Sequence, residues 1–192
     1  MSIYDQHLDK TPANFQTLTP LSFLERTART FPDRTAIVHG TARTTYAVFY
    51  DRCRQLASTL AQNYISRGDT VSVMLANTPP TLEAHYGVPM IGAVLHSINT
   101  RLDAATLAFQ LDHAETKVLI VDREFAGTVR EALALANVTP LVIDYDDPEF
   151  PQGGEPVAAL DYEAFIANGS NQFVWSPPAD EWDAISLNYT SG

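Results

Sequence analysis

The chain of 192 residues has one cysteine, Cys53, and two lysines, Lys10 and Lys117. A single thiol excludes an internal disulfide and a thiolate zinc cluster, and it suits a reducing compartment, so a cytoplasmic location is expected. Lysine and arginine together number 12 against 23 acidic residues, a formal charge of −11. The arginines are scattered with no basic run. A nucleic-acid partner is therefore excluded, since affinity for a phosphate backbone comes from clustered cations. Long apolar runs are missing as well. The longest stretch free of Asp, Glu, Lys and Arg covers residues 84–100 and is interrupted by His85, Pro89 and His96. That is too short and too broken for a membrane span, which takes about 20 mostly apolar residues. The first ten residues carry two aspartates and no apolar core, so they cannot act as a secretory signal.

Signature glycines are absent too. No Gly-x-Gly occurs, which removes the dinucleotide fingerprint, and no Gly-x-x-x-x-Gly-Lys occurs, which removes the P-loop. No Gly-x-Ser-x-Gly elbow suggests an esterase. The five histidines, at 7, 39, 85, 96 and 113, form no i,i+4 ligand pair, and no metal site is expected. His85 and His96 fall within apolar elements and read as hydrogen-bonded core residues. Cys53 lies on the apolar face of its helix and reads as a buried structural thiol. Asp144, Asp146, Asp147 and Glu149 open like a calcium loop, but Pro148 takes the fifth position and no glycine follows it, which points to a solvated acidic loop.

What is present is an ordinary globular composition, 45% apolar and 10% aromatic, arranged as an alternation of apolar strands and amphipathic helices. After a polar leader over residues 1–18, Thr19 and Pro20 open a helix with Leu21, Leu24, Ala28 and Phe31 inward. A strand over 35–39 and a turn at Gly40 lead to a second helix from Thr45. Strands over 71–75, 93–98, 118–121 and 141–143 then alternate with helices starting at Thr78-Pro79, Asp103 and Phe125. The first of these helices is expected to run through Leu82, Tyr86 and Met90. Nearly continuous apolar strands such as Val118-Leu-Ile-Val121 belong to a parallel sheet covered on both faces, so the fold class is α/β. An acidic excursion over 144–154, a short helix near Tyr162 and a last strand over 184–188 complete the pattern. The terminal Tyr189-Thr190-Ser191-Gly192 offers hydroxyls and a close-approaching backbone, which suit a phosphate.

The ending Trp175-Ser-Pro-Pro-Ala-Asp-Glu-Trp-Asp-Ala-Ile-Ser-Leu-Asn-Tyr-Thr-Ser-Gly192 resembles the approach to the phosphate loop of the AMP-forming adenylate synthetases, the superfamily of acyl-CoA synthetases, luciferases and peptide-synthetase adenylation domains. Three more segments are similar to landmarks of that family in order and spacing: Thr45-Tyr46, Gly68-Asp-Thr-Val-Ser-Val-Met-Leu-Ala-Asn77, and Gly92-Ala-Val-Leu-His-Ser-Ile-Asn-Thr-Arg-Leu102. The last, with Pro178-Ala-Asp-Glu-Trp182 and its preceding proline, resembles the plant and bacterial ligases for short- and medium-chain or related small carboxylic acids, including benzoate-like and methylthio acids.

The resemblance implies an N-terminal AMP-binding domain over 19–192 that stops at the start of the phosphate loop, with the C-terminal domain and the catalytic residues beyond Gly192. It implies a two-step ligase using ATP, Mg²⁺ and CoA, in which a carboxylate forms an acyl-adenylate and CoA then takes the acyl group; residues 1–192 alone are expected to be inactive. An adenylation domain that loads a carrier protein, or a non-catalytic nucleotide-binding or interaction module, is the alternative reading. Thr190, Ser191 and Gly192 are expected to contact the ATP phosphates, with Tyr189 packing behind the loop. Arg101 is a candidate for the CoA nucleotide phosphates, and equally for a brace on the helix that follows it. The expected partners are small molecules, with a homodimer as the assembly compatible with them.

Overall fold

The computed structural model describes residues 2–150 and 153–190. A short antiparallel ribbon, β1 (Thr35–His39) and β2 (Ala42–Thr45), precedes a five-stranded sheet of β3 (Thr70–Met74), β4 (Val94–Ser97), β5 (Thr116–Asp122), β6 (Leu141–Tyr145) and β7 (Ser186–Leu187). Every pair in that sheet is parallel, in the order β6-β5-β3-β4-β7. The α/β reading therefore holds. Among the described residues six α-helices accompany the strands: α1 (Leu21–Thr30), α2 (Tyr46–Gln62), α3 (Pro79–Gly87), α4 (Ala104–His113), α5 (Ala126–Leu135) and α6 (Tyr162–Ala167).

The side-chain period of two splits each strand between two buried faces. Val71 and Val73 of β3, Val118 and Ile120 of β5 and Ile143 of β6 meet Leu56 and Leu60 of α2, Ala84 of α3 and Phe165 of α6. Met74, Leu119 and Val121 point the other way, against Leu107 and Leu111 of α4 and Val129 and Ala132 of α5. Burial on both faces is why these strands carry no polar alternation. A third cluster joins α1, β1 and α2 through Leu21, Leu24, Ile37, Phe49, Cys53 and Met90. Gly87 and Gly92 are among the glycines the structure requires. At Gly87 a Cβ would lie 2.9 Å from the Cys53 carbonyl oxygen, so α3 crosses α2 only with glycine there, and Gly92, at φ +73°, makes the left-handed turn into β4.

Several expectations need correction. β2 is a strand where only a turn was expected; it is largely polar and exposed, held by its backbone ladder to β1 rather than by apolar burial. α3 ends at Gly87 and not near Met90, because Pro89 has no N–H to continue the ladder, and a 3₁₀ turn follows over Pro89–Ile91. Within α3, Leu82 faces solvent and Glu83 is buried. Phe31 caps α1 and is half exposed. The acidic loop is not simply solvated: Asp144 and Asp147 are buried, the first accepting the Val157 and Ala158 N–H groups and the second 2.7 Å from His39 Nε2. Cys53 is fully buried as expected, and burial pushes its thiol pKa up.

Candidate functional site

The sheet order places a reversal at β3. The connection through α3 runs from β3 to β4 on one side, whereas the connection through α4 returns across β3 to β5. The helices consequently leave the carboxyl ends of neighbouring strands toward opposite faces, which opens a crevice at that edge, the usual ligand position in open parallel sheets. A concavity of about 690 Å³ lies there, lined by Asn77, Thr81 and His85 on the α3 side, Asn99 and Arg101 after β4, and Phe125 after β5. A second, of about 420 Å³, lies between Asn99, Gln110 and the segment Asn188, Tyr189 and Thr190, and the two share Ser97, Ile98 and Asn99. A third, of about 440 Å³, lies at the amino ends of the strands, between Ile65, Gly92 and residues 173–185, and contains none of the residues expected to bind ATP or CoA.

Arg101 reaches the larger cleft because the chain turns sharply after β4. Its backbone N–H donates to Asn99 Oδ1 at 3.0 Å, closing a side-chain-to-backbone turn. Bracing of α4 falls instead to Asp103, whose carboxylate accepts the Thr106 N–H at 2.8 Å and the Thr106 hydroxyl at 3.0 Å. Those bonds hold the Asp103 carboxyl below its ordinary pKa. The Arg101 side chain is exposed and forms no ion pair among the described residues.

Helix N-termini contribute little to anion binding in this cleft. Pro79 and Pro80 remove two donors from the first turn of α3, the Thr81 N–H is taken by the Thr78 carbonyl, and α4 begins under a carboxylate. Arg101 is thus the one permanently cationic side chain in the lining of the cleft. Glu124 is the one acidic side chain in its lining, and it lies on the far side with Phe125.

Thr190 is exposed at the rim of the smaller cavity. Ser191 and Gly192 lie outside the described residues. Tyr189 packs inward beside His96: the two rings are 5.1 Å apart, and the Tyr189 hydroxyl is 2.7 Å from His113 Nδ1. His96 is a fully buried core histidine, its Nδ1 2.9 Å from Ser72 Oγ. Burial lowers its pKa to about 4, while neighbouring Gln110 acts in the opposite direction. Gln110 Oε1 and His96 Nε2 nonetheless reach no hydrogen-bond geometry with any described partner. His85, expected in the core, is exposed on α3, where its Nδ1 lies 2.7 Å from the Thr81 carbonyl and its ring borders the larger cleft.

His113, Gln110 and Asn99 were given no site role from the sequence. Asn99 carries a usable signal, since Asn-x-Arg after a strand is a turn former. His113 and Gln110 become visible only when α4 is laid beside β7. Among the described residues no three His, Cys, Asp or Glu side chains converge as metal ligands, and no helix is long and apolar enough to cross a membrane.

A model of the family described as AMP-binding enzyme matches residues 24–192. The chain is 44% identical over 196 residues to the peroxisomal acetate/butyrate–CoA ligase AAE7 of Arabidopsis thaliana, covering 96% of this chain and 34% of that protein. It is likewise 44% identical over 189 residues to the peroxisomal benzoate–CoA ligase of the same plant, covering 94% and 32%. The fold matches the crystal structure of the anthranilate–CoA ligase AuaEII in complex with anthranoyl-AMP, at TM-score 0.83 and 18% identity over 95% of this chain and 34% of that one. The chain spans about a third of the length of the curated relatives it matches.

Proposed function

Because the chain belongs to the AMP-binding enzyme family, we propose that the whole protein is an ATP-dependent ligase joining a small or medium-chain carboxylic acid to CoA. In the first step the carboxylate oxygen attacks the α-phosphorus of ATP, and the bond to pyrophosphate breaks. In the second the CoA sulfur attacks the acyl carbon, and AMP leaves with the electron pair of the acyl–oxygen bond. All reactants are anions, so positive charge must be placed where they meet. Mg²⁺, when bound, would neutralise phosphate charge; among the described residues no three His, Cys, Asp or Glu side chains converge to hold it. Residues 19–192 would form the N-terminal AMP-binding domain.

Thr190, Ser191 and Gly192 are proposed to contact the ATP phosphates, and Arg101 the nucleotide phosphates of CoA. The carrying observation is the unpaired Arg101 guanidinium at the carboxyl edge of the sheet, beside the segment that ends at Thr190. A charged hydrogen bond is worth roughly 1.5–3 kcal/mol. Arg101→Ala in the full-length protein should therefore raise KM for CoA by about tenfold to a hundredfold while leaving KM for ATP unchanged. Unaltered CoA kinetics would remove Arg101 from this role. Acid-dependent ATP–pyrophosphate exchange, run over C2 to C10, aromatic and methylthio acids, tests the activity itself, and no exchange with any acid would overturn it.

The reading calls for small-molecule partners, and a homodimer is the assembly proposed with them. Cytoplasm is the proposed compartment, on the single reduced thiol. Two plant relatives are named peroxisomal, and cell fractionation against a peroxisomal marker decides.

A further inference from the structure

We propose that Tyr189 is a strut that sets the start of the phosphate loop, and that His113 is a positioning residue which holds this strut for ATP; the inference rests on the ligase reading above. The need for a strut follows from how short β7 is. Its pairing with β4 consists of Leu95 opposite Ser186 and His96 opposite Leu187, and it ends there. Among the described residues no backbone hydrogen bond holds 188–190. Whatever fixes Thr190 in space must then act through side chains.

Tyr189 is placed to do this. Side chains two apart on a strand share a face, so Tyr189 follows Leu187 onto the face that carries His96. The two rings meet at 5.1 Å with a tilt of 58°. His96 is a rigid floor: it is fully buried, its Nδ1 lies 2.9 Å from Ser72 Oγ, and Ser72 Oγ lies 2.8 Å from Thr116 Oγ1, so a polar ladder crosses β4, β3 and β5 beneath the tyrosine. The second hold comes from α4. Its last-turn His113 shares a 2.7 Å hydrogen bond with the Tyr189 hydroxyl, and His113 is in turn stacked on Phe109 at 5.6 Å and 17°. Tyr189 is thus fixed at its ring by the sheet and at its tip by a helix, one residue before the first loop hydroxyl. Neither histidine touches the nucleotide in this scheme; they act through Tyr189.

The test uses the full-length protein with Tyr189→Phe, His113→Ala and His113→Asn, whose amide can replace Nδ1. A hydrogen bond of this kind is worth about threefold to tenfold in an equilibrium constant. Tyr189→Phe and His113→Ala should each raise KM for ATP in acid-dependent pyrophosphate exchange by that factor, leave KM for the acid within about twofold, and show no additivity when combined. His113→Asn should return KM for ATP to near the parent value. Without nucleotide, the paired amides of β7, read in a peptide that begins upstream of residue 184, should take up deuterium faster in the first two variants and at the parent rate in His113→Asn. Unchanged KM for ATP, an equal rise for acid and ATP, or His113→Asn behaving like His113→Ala would overturn the strut. A parent with no exchange for any acid overturns the ligase reading alone, and the deuterium comparison then decides the strut by itself.

Discussion

Arg52→Met should be among the costliest single changes in this domain. Glu83 of α3 has no exposed surface, yet it carries a carboxylate. Arg52 of α2 approaches it twice, Nε at 2.5 Å and Nη2 at 3.2 Å, and Tyr162 of α6 donates its hydroxyl at 2.8 Å. The same guanidinium reaches the more exposed Glu163 at 2.6 Å and 2.9 Å. Burial works against the Arg52 charge, but the two carboxylates outweigh it and hold its pKa above the ordinary value. Removing the arginine leaves a buried carboxylate with one hydroxyl partner, and breaking a buried pair in this way costs about 3–5 kcal/mol. Glu83→Gln should cost far less, about 1–2 kcal/mol, since the amide keeps the volume, still accepts from Tyr162, and leaves Arg52 paired with Glu163. Arg52→Met combined with Glu83→Met should recover most of the loss, because neither charge then remains buried. Urea midpoints at pH 7 with a constant slope measure all three. If Arg52→Met costs less than about 1 kcal/mol, or no more than Glu83→Gln, the carboxylate is not held charged by Arg52 and the reasoning fails.

Two further outcomes are expected. His96 is neutral in the fold down to a pKa of about 4 but titrates at its ordinary 6.5 when unfolded. The unfolded chain takes up that proton first, so the His96 contribution lowers stability by about 3 kcal/mol as pH drops from about 6.5 to 4 and adds nothing further below; His96→Asn should lose that much less over the same range, and an identical loss in both proteins would refute it. Cys53, buried on the α2 face and with its thiol pKa pushed up, should be alkylated by a maleimide only after denaturation, as read by peptide mapping; full labelling of the native protein at pH 7 would contradict its burial.

The parallel sheet was legible because its strands are apolar on both faces: Val118-Leu-Ile-Val121 has no reading other than double burial. Thr45 and Asp103 were legible as caps because capping is local, and each accepts the N–H three residues on. What escaped depended on partners far away in the chain. Nothing local distinguishes Leu82 from Glu83 as the inward residue of α3; Arg52 and Tyr162, 31 and 79 residues distant, decide it. Asp147 reads as one more loop acid until His39, 108 residues earlier, is laid against it by the β1–β2 ribbon. At the site, Arg101 and Thr190 were named as ligand contacts by resemblance to a family, and the fold places them in the linings of two adjoining cavities. The supports of Tyr189 could not be read, because they require knowing that β7 pairs with β4 and in which register.

The acidic balance of the chain gains a structural meaning once its cations are followed individually. Arg29, Arg52, Arg54, Arg67 and Arg123 each face a carboxylate. Arg26 and Arg34 lie over phenylalanine rings, and Arg43 and Arg130 donate to backbone carbonyls. Arg101 is thus the arginine whose guanidinium no described residue engages. An excess of 23 acids over 12 bases would lead one to expect every guanidinium to be taken. A free one costs its neighbourhood the repulsion it could relieve, and it persists at the carboxyl edge of the sheet, between a helix start stripped of donors by Pro79 and Pro80 and another occupied by Asp103. With N–H donors missing at one helix start and a carboxylate capping the other, Arg101 is the one permanent positive charge in the lining of the larger cleft. Such a site recognises by position. On the ligase reading proposed above, the ligand that fits it would carry a compact phosphate at one defined place, as the nucleotide end of CoA does and a simple carboxylic acid does not.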